Sequence, residues 1–237
     1  MRRAAISWSG GKDSYMALHM ARERGFEIEY GIHMIVENVV SYHGPRELIM
    51  VQQAALGTAG IFTRTTWEKY EEDFRKTLES LRRRGVEAVV FGDIFIESHR
   101  EWVERVCRKA GVEAVEPLWG INTGDLVRKA VDMGVRAIII RTIDREPLVK
   151  YLGRVLDRET IEGLIESGID PAGEYGEYHT IVLDAPLFRV GIEILGGRVE
   201  TIEGRFGDKI YRYRIYIPTR YRIYNKYQAR GSYLLTT

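Results

Sequence analysis

One hexapeptide of the 237-residue chain concentrates polar chemistry: SGGKDS, Ser9 to Ser14, set between the apolar run AAISW and the helical MALHMARERG. Glycines at the end of a strand let the backbone turn sharply and present N–H groups without Cβ obstruction. At the first turn of a helix those N–H groups have no intrahelical partner and the helix dipole adds positive potential, which together make an anion site. Lys12 adds a cation, and Ser9 and Ser14 add hydroxyl donors. Phosphate is the expected guest of Ser9, Gly10, Gly11, Lys12, Asp13 and Ser14. Two other phosphate loops are excluded. GxxxxGK[ST] would need glycine where the chain has Ile6, and no GxGxxG follows a predicted strand. A plain glycine turn capped by Ser or Asp is the structural alternative.

A second concentration lies in GEYGEYHT, Gly173 to Thr180, where Glu174 and Glu177 flank Gly176 and His179 and Thr180 follow at once. Acid, imidazole and hydroxyl groups within eight residues can hold a cation, take a proton from ammonium, or coordinate magnesium. The spacing leaves the role of each carboxylate open, and a solvated acidic loop has the same composition. Gly92 and Asp93 end the apolar run EAVVF, where open α/β sheets place ligands, although Asp also ends ordinary strands. Trp119, beside Gly120 in PLWG, is suited to stacking on substrate or to filling core. Asp184, before Ala185 and Pro186, shapes a turn or anchors a ligand. Arg100 and Glu104, four apart on a predicted helix, read as a surface ion pair. Cys107 is the one cysteine; with Trp102, Val103, Val106 and Ala110 it falls on one helical face and reads as a core thiol.

These residues need a scaffold. Short β-rich runs alternate with helical ones: AAISW then DSYMALHMARERG; IEYGIHMIV then ELIMVQQAALGTAG; EEDFRKTLESLRRRG before EAVVFGDI; ESHREWVERVCRKAG before VEAVEPLW; TGDLVRKAVDMG before RAIII. Alternation of this kind implies crossover connections and a parallel sheet covered by helices on both faces. The continuous apolar runs EAVVF and RAIII fit strands of that sheet buried on both sides. After about Asp144 comes a helical stretch, LVKYLGRVLDRETIEGLIESG, then short strands with turns, including EILGGRVETIEG. The expected division is 1–144 and 145–237. The last segment, 205–237, holds eight Lys or Arg against one Asp and seven of the fourteen tyrosines, so its net charge is +7 while the preceding residues sum to −6. Period-two alternation in IYRYRIYI describes a half-solvated strand, and the same residues are suited to contact with RNA or an acidic protein.

Apolar residues at 45%, charged residues at 29% and a net charge of +1 describe a soluble globular chain. With one cysteine there is no intrachain disulfide and no CxxC, which fits a reducing, cytoplasmic setting. MRRAAISWSGGK has too short an apolar run for a signal-peptide core, and nothing approaches the roughly 20 apolar residues of a membrane span. Only three Asn and three Gln beside many Arg and Glu suggest a thermophilic source. A melting midpoint above the ordinary mesophile range is expected in a thermal scan.

SGGKDS resembles the pyrophosphate-binding loop of the N-type ATP pyrophosphatases. With GDI (Gly92 to Ile94), HREWVERVC (His99 to Cys107), PLWG (Pro117 to Gly120) and GEYGEYHTIVLDAPLF (Gly173 to Phe188) in this order, the chain resembles the archaeal diphthine–ammonia ligase family as far as about Phe188. The resemblance implies a Rossmann-like, adenine nucleotide alpha hydrolase-like sheet with a smaller C-terminal α+β domain. It implies that ATP is cut between the α and β phosphates, with Ser9, Gly10, Gly11, Lys12 and Ser14 holding the departing pyrophosphate, Gly92 and Asp93 beside the nucleotide, and Asp13 organising Mg2+. The acceptor would be the carboxylate of diphthine, a modified histidine on translation elongation factor 2, and ammonia would displace AMP to give diphthamide. Lys12, Asp13, Glu174, Glu177 and His179 would carry the catalysis. Trp119, Gly120, Glu174, Glu177, His179, Thr180 and Asp184 would meet diphthine or ammonium. Other readings are a tRNA-modifying ATP pyrophosphatase and a non-catalytic adenine-nucleotide or RNA-binding module.

Overall fold

The computed structural model describes residues 1–36, 43–206 and 209–226. The chain first lays down β1 (Arg2–Ser7), α1 (Lys12–Glu23), β2 (Phe26–Val36), α2 (Arg46–Leu56), β3 (Ala59–Thr65), α3 (Tyr70–Arg83), β4 (Ala88–Val90), α4 (Glu97–Ala110) and β5 (Glu113–Val115). These strands form one sheet in the order β3-β2-β1-β4-β5, every pair parallel. Alternate β1 residues serve opposite layers. Ala4 and Ile6 pack with α1 and α2, whereas Ala5 packs with Phe74, Leu78 and Leu81 of α3 and Val103, Val106 and Cys107 of α4. Cys107 is buried as expected, and burial pushes its thiol up to about 12.

The remainder is α5 (Thr123–Asp132), β6 (Arg136–Ile143), a 3-10 turn at Leu148–Tyr151, α6 (Arg158–Glu166), β7 (Tyr178–Asp184), β8 (Val190–Phe206) and β9 (Lys209–Asn225). Its strands make a second, antiparallel sheet in the order β7-β6-β9-β8. The fold is thus a Rossmann-like parallel α/β sheet flanked by helices, with a smaller antiparallel α+β unit. One apolar layer joins the two sheets, since Ile6 and Leu18 share a cluster with Ile139, Ile140, Ile181 and Leu183.

Several elements differ from their sequence reading. RAIII lies in β6 and pairs antiparallel with β7 and β9 rather than joining the parallel sheet. An apolar run buried on both faces looks the same in either setting, and the change of sheet falls between Val115 and Arg136. ELIMVQQAALGTAG is not helical throughout: Gly57, at φ +72°, ends α2 in the left-handed region, and β3 starts two residues later. The long helix expected before Gly168 is broken into a 3-10 turn and α6, whose cap is the Asp157 side chain accepting from Thr160 N–H at 2.8 Å. EILGGRVETIEG is one continuous strand. Gly196 and Gly197 form an irregularity opposite Arg220 and Pro218.

Candidate active site

In the parallel sheet the chain runs outward from β1 through β2 to β3, then returns to the other side of β1 for β4 and β5. The crevice at this reversal, beyond the carboxyl ends of β1 and β4, is where such sheets receive ligands. SGGKDS follows β1 and Gly92-Asp93 follow β4, so both border it. The two turns touch closely: a Cβ on Gly92 would lie 3.1 Å from the Asp13 carbonyl carbon and the Ser14 nitrogen, both backbone atoms.

The third wall comes from the antiparallel sheet. Gly10 O accepts from Val182 N–H of β7 at 2.8 Å, and Lys12 N–H donates to Thr180 Oγ1 at 3.1 Å. Ser9, Gly11, Lys12, Asp13, Ser14, Gly92, Asp93, Gly173, Glu174, His179 and Thr180 thereby line one cavity of about 270 Å3. His179 and Thr180 sit on β7 rather than in the glycine loop before it.

Within the loop, Gly10 has φ +87°, and a Cβ there would meet Ile49 Cδ1 at 2.4 Å. Ser14 Oγ donates to Gly11 O at 2.9 Å, and Gly11 N–H donates to Ser9 Oγ at 3.3 Å. Lys12 is only 3% exposed, 2.9 Å from Asp13 Oδ2, bonded to Ala172 O and facing the Tyr178 ring at 4.9 Å. Burial alone would lower its pKa, but Asp13 foremost, with Tyr178 and Glu174, outweighs burial and raises it, so the ammonium is held charged.

Glu174 Oε1 accepts from Ile94 N–H at 2.9 Å, while its own N–H donates to Asp170 Oδ2 at 2.8 Å. Burial first, with Asp13 and Asp93 adding repulsion, pushes its carboxyl up to about 7 against the Ile94 bond. Asp93 pairs with His99 Nδ1 at 3.1 Å, and that hydrogen bond raises the His99 pKa.

Other sequence candidates stand apart from the cavity lining. Glu177 is 9% exposed, with Oε2 buried and unpartnered and its carboxyl raised by burial. The Trp119 ring lies under the Arg100 guanidinium at 4.8 Å, and Gly120 N–H donates to Ile94 O at 2.8 Å, so PLWG braces the end of β4. Arg100 and Glu104 do pair, at 3.1 Å. Asp184 lies at the far end of β7, paired with Lys226 at 2.7 Å and accepting from Tyr224 at 3.0 Å. In the tail, residues 227–237 lie outside the described part. Within β9, Arg212 pairs with Glu203 and Asp144, Arg214 with Asp144, and Arg222 with Glu193.

Two contributors escaped the sequence reading. Gln52, fully buried on α2, accepts from Trp8 Nε1 at 3.0 Å and donates to Gly10 O at 3.0 Å and Val182 O at 2.8 Å. Its Gln52→Met variant removes one bond from each of these three buried groups, at about 1–3 kcal/mol for each group left wholly unsatisfied. Gly10 O keeps its bond to Val182 N–H, so a total near the lower end of their sum is expected in denaturant unfolding, with weakened ATP binding. His43 is the other. It lines this cavity and an adjoining one of about 530 Å3 bordered by His33, Arg46, Arg64, Trp67 and Tyr70. Burial first, then His33 and Arg141, push its pKa down to about 3, so it is neutral.

Residues 1–114 match the diphthamide synthase N-terminal domain, and residues 122–225 match the diphthamide synthase C-terminal domain. The chain belongs to the diphthamide synthase family. The human diphthine–ammonia ligase is 29% identical over 144 residues, 59% of this chain and 54% of its own length. The Schizosaccharomyces pombe protein of that name is 26% identical over 230 residues, 86% of this chain and 37% of its own, and the Danio rerio protein is 30% identical over 129 residues, 52% and 50%. The chain thus spans about half the length or less of these relatives. A solved predicted subunit of tRNA methyltransferase from Methanocaldococcus jannaschii aligns with TM-score 0.43 at 16% identity, over 78% of this chain and 98% of that one, a likeness too slight to bear on fold or function. In this diphthamide synthase family member the cavity draws on both matched domains, the phosphate loop from the first and Glu174 to Thr180 from the second.

Proposed function

We propose that the chain is an ATP-dependent carboxylate–ammonia ligase that converts diphthine on translation elongation factor 2 to diphthamide, with AMP and pyrophosphate as the other products. The observation that carries this reading is the meeting of SGGKDS and Glu174–Thr180 in one cavity. A carboxylate resists ammonia because oxide leaves poorly. Attack of a carboxylate oxygen on the α phosphorus breaks the bond to the β phosphate and releases pyrophosphate, and the resulting acyl-adenylate has a good leaving group. Ammonia then adds to the acyl carbon, the bond to AMP breaks, and the surplus nitrogen proton passes to a base.

Lys12 and the Gly10–Ser14 turn hold the β and γ phosphates and take up the charge that grows on pyrophosphate. Glu174, with a carboxyl near 7, receives the proton from ammonium or from the attacking nitrogen. The adjoining cavity, with Trp67 and Tyr70 beside Arg46 and Arg64, has the aromatic faces and cations for the base and ribose. Asp13 fits a Mg2+ site: Oδ1 is buried without a partner, and this ion is commonly held by one or two carboxylates plus substrate phosphates. Mg2+ bound there would neutralise phosphate charge. Among the described residues no helix is long and apolar enough to cross a membrane, in keeping with a cytoplasmic enzyme.

The test is product analysis with ATP, ammonium and diphthine-bearing elongation factor 2. AMP and pyrophosphate formed only with all three are expected. ADP, or turnover stimulated by tRNA in place of the factor, would overturn the assignment. Three of the four β9 arginines, Arg212, Arg214 and Arg222, pair with carboxylates, which reduces the charge this strand offers an RNA backbone.

A further inference from the structure

Arg141 of β6 stands directly across from His179 of β7 and is 7% exposed. Its guanidinium carbon lies 4.0 Å from the centre of the Tyr213 ring on β9, and Nη1 lies 3.1 and 3.0 Å from the two ring nitrogens of His179. An atom equally close to both nitrogens must sit over the ring, because in the plane Cε1 would be in the way. The His43 ring is parallel to that of His179, with centres 4.6 Å apart and planes at 9°. Tyr213 thus packs on Arg141, whose Nη1 lies over one face of His179, while His43 lies parallel to His179, and both histidines line the cavity.

What Arg141 lacks, among the described residues, is an anionic partner. A buried charge is costly unless it is paired. Among the described residues no carboxylate pairs with Arg141, its Nε has no hydrogen-bond partner, and burial lowers its pKa with only Tyr213 acting the other way. The carboxylates lining the cavity are engaged elsewhere: Asp13 with Lys12, Asp93 with His99, and Glu174 with Ile94 N–H. The fold thus keeps a second cationic centre beside the cavity-lining His179, separate from Lys12.

We propose that the His179–Arg141 pair is the subsite for the carboxylate of the acceptor, which supplies the negative charge that Arg141 lacks among the described residues. The inference rests on the ligase reading above. His179 is the contact group. Arg141 is a positioning residue: it fixes the plane of the imidazole and contributes its charge through a medium of low dielectric, where charge interactions are stronger than in water. Lysine keeps the charge but not the fixed fork of N–H groups that here meets the Tyr213 ring and the face of His179 together.

The test uses Arg141→Met and Arg141→Lys in the full chain, with elongation factor 2 bearing diphthine as varied substrate and ATP affinity measured by calorimetry. Arg141→Met is expected to raise KM for the factor about ten-fold or more, the order of losing a charge-assisted contact. Its kcat at saturation and its ATP Kd should stay within about three-fold of wild type, because neither depends on acceptor capture in this scheme. Arg141→Lys should recover part of the KM. Weakened ATP binding with unchanged KM would assign Arg141 to the nucleotide and overturn the proposal, as would unchanged values throughout. If Arg141→Met does not fold, Tyr213→Leu, which removes the ring packed on the guanidinium, must show the same selective rise in KM. If the wild-type protein forms no AMP with the factor, the ligase reading fails. Direct binding of diphthine-bearing factor without ATP then still decides the subsite by its dependence on Arg141.

Discussion

Lys12→Met is expected to lower the rate of pyrophosphate release about 10^2- to 10^3-fold, the range seen when one donor is removed from developing oxyanion charge. Methionine keeps an unbranched apolar stem one heavy atom shorter and removes the ammonium together with its contact to the Tyr178 ring. Lys12 is enclosed and bonded to Asp13 and Ala172 O, so the change also touches stability. Leaving those acceptors without their donor costs about 1–3 kcal/mol, which would lower the melting midpoint without unfolding the protein. Single-turnover pyrophosphate release beside a thermal scan separates the two effects. Wild-type release from a folded Lys12→Met protein would remove the phosphate role from SGGKDS.

Glu174→Gln carries the second large effect. Removing a positioned general base typically costs about 10^2–10^4 in rate. Wild-type amidation should climb as pH rises through about 7, where the Glu174 carboxyl loses its proton, and the variant should lack this limb. The stability effect has the opposite sense. In the unfolded chain the carboxyl ionises near its ordinary 4.5, whereas the folded protein keeps the proton to about 7. The unfolded state therefore binds fewer protons between these values, and stability falls as pH rises through that window. Glutamine mimics the protonated form and still accepts from Ile94 N–H. The variant should gain melting temperature over wild type at pH 8 and show no gain at pH 4. Equal gains at both would contradict the placement of this carboxyl.

What could be read from the chain follows from how local each signal is. SGGKDS announces itself because glycine, lysine and serine do their work within one turn, and GEYGEYHT because its acids and histidine are adjacent. RAIII was legible as a buried strand and not as a member of the antiparallel sheet, because burial on both faces erases the alternation that would distinguish the settings. Asp184 looked like a possible ligand from its neighbours Ala185 and Pro186, but its partners Tyr224 and Lys226 come from 40 or more residues away. Gln52 was invisible for a related reason. Its bonds reach 42 and 130 residues along the chain, and nothing local separates it from its neighbour Gln53 in the same helix. Arg141, which directly follows RAIII, carries no local signal of burial, and only tertiary structure encloses it.

The hydrogen bond from Val182 N–H to Gly10 O joins the phosphate loop of one sheet to a strand of the other. Its consequence is thermodynamic. The shape of the loop is not a property of residues 9–14 but of the docked pair of sheets, so loop order and docking form a single equilibrium. A nucleotide that binds only the docked form must stabilise it in proportion to its own affinity. ATP would then act on this chain as a clasp as well as a reagent, and the amide of Val182, far from any phosphate in sequence, should exchange with solvent more slowly whenever the nucleotide is bound.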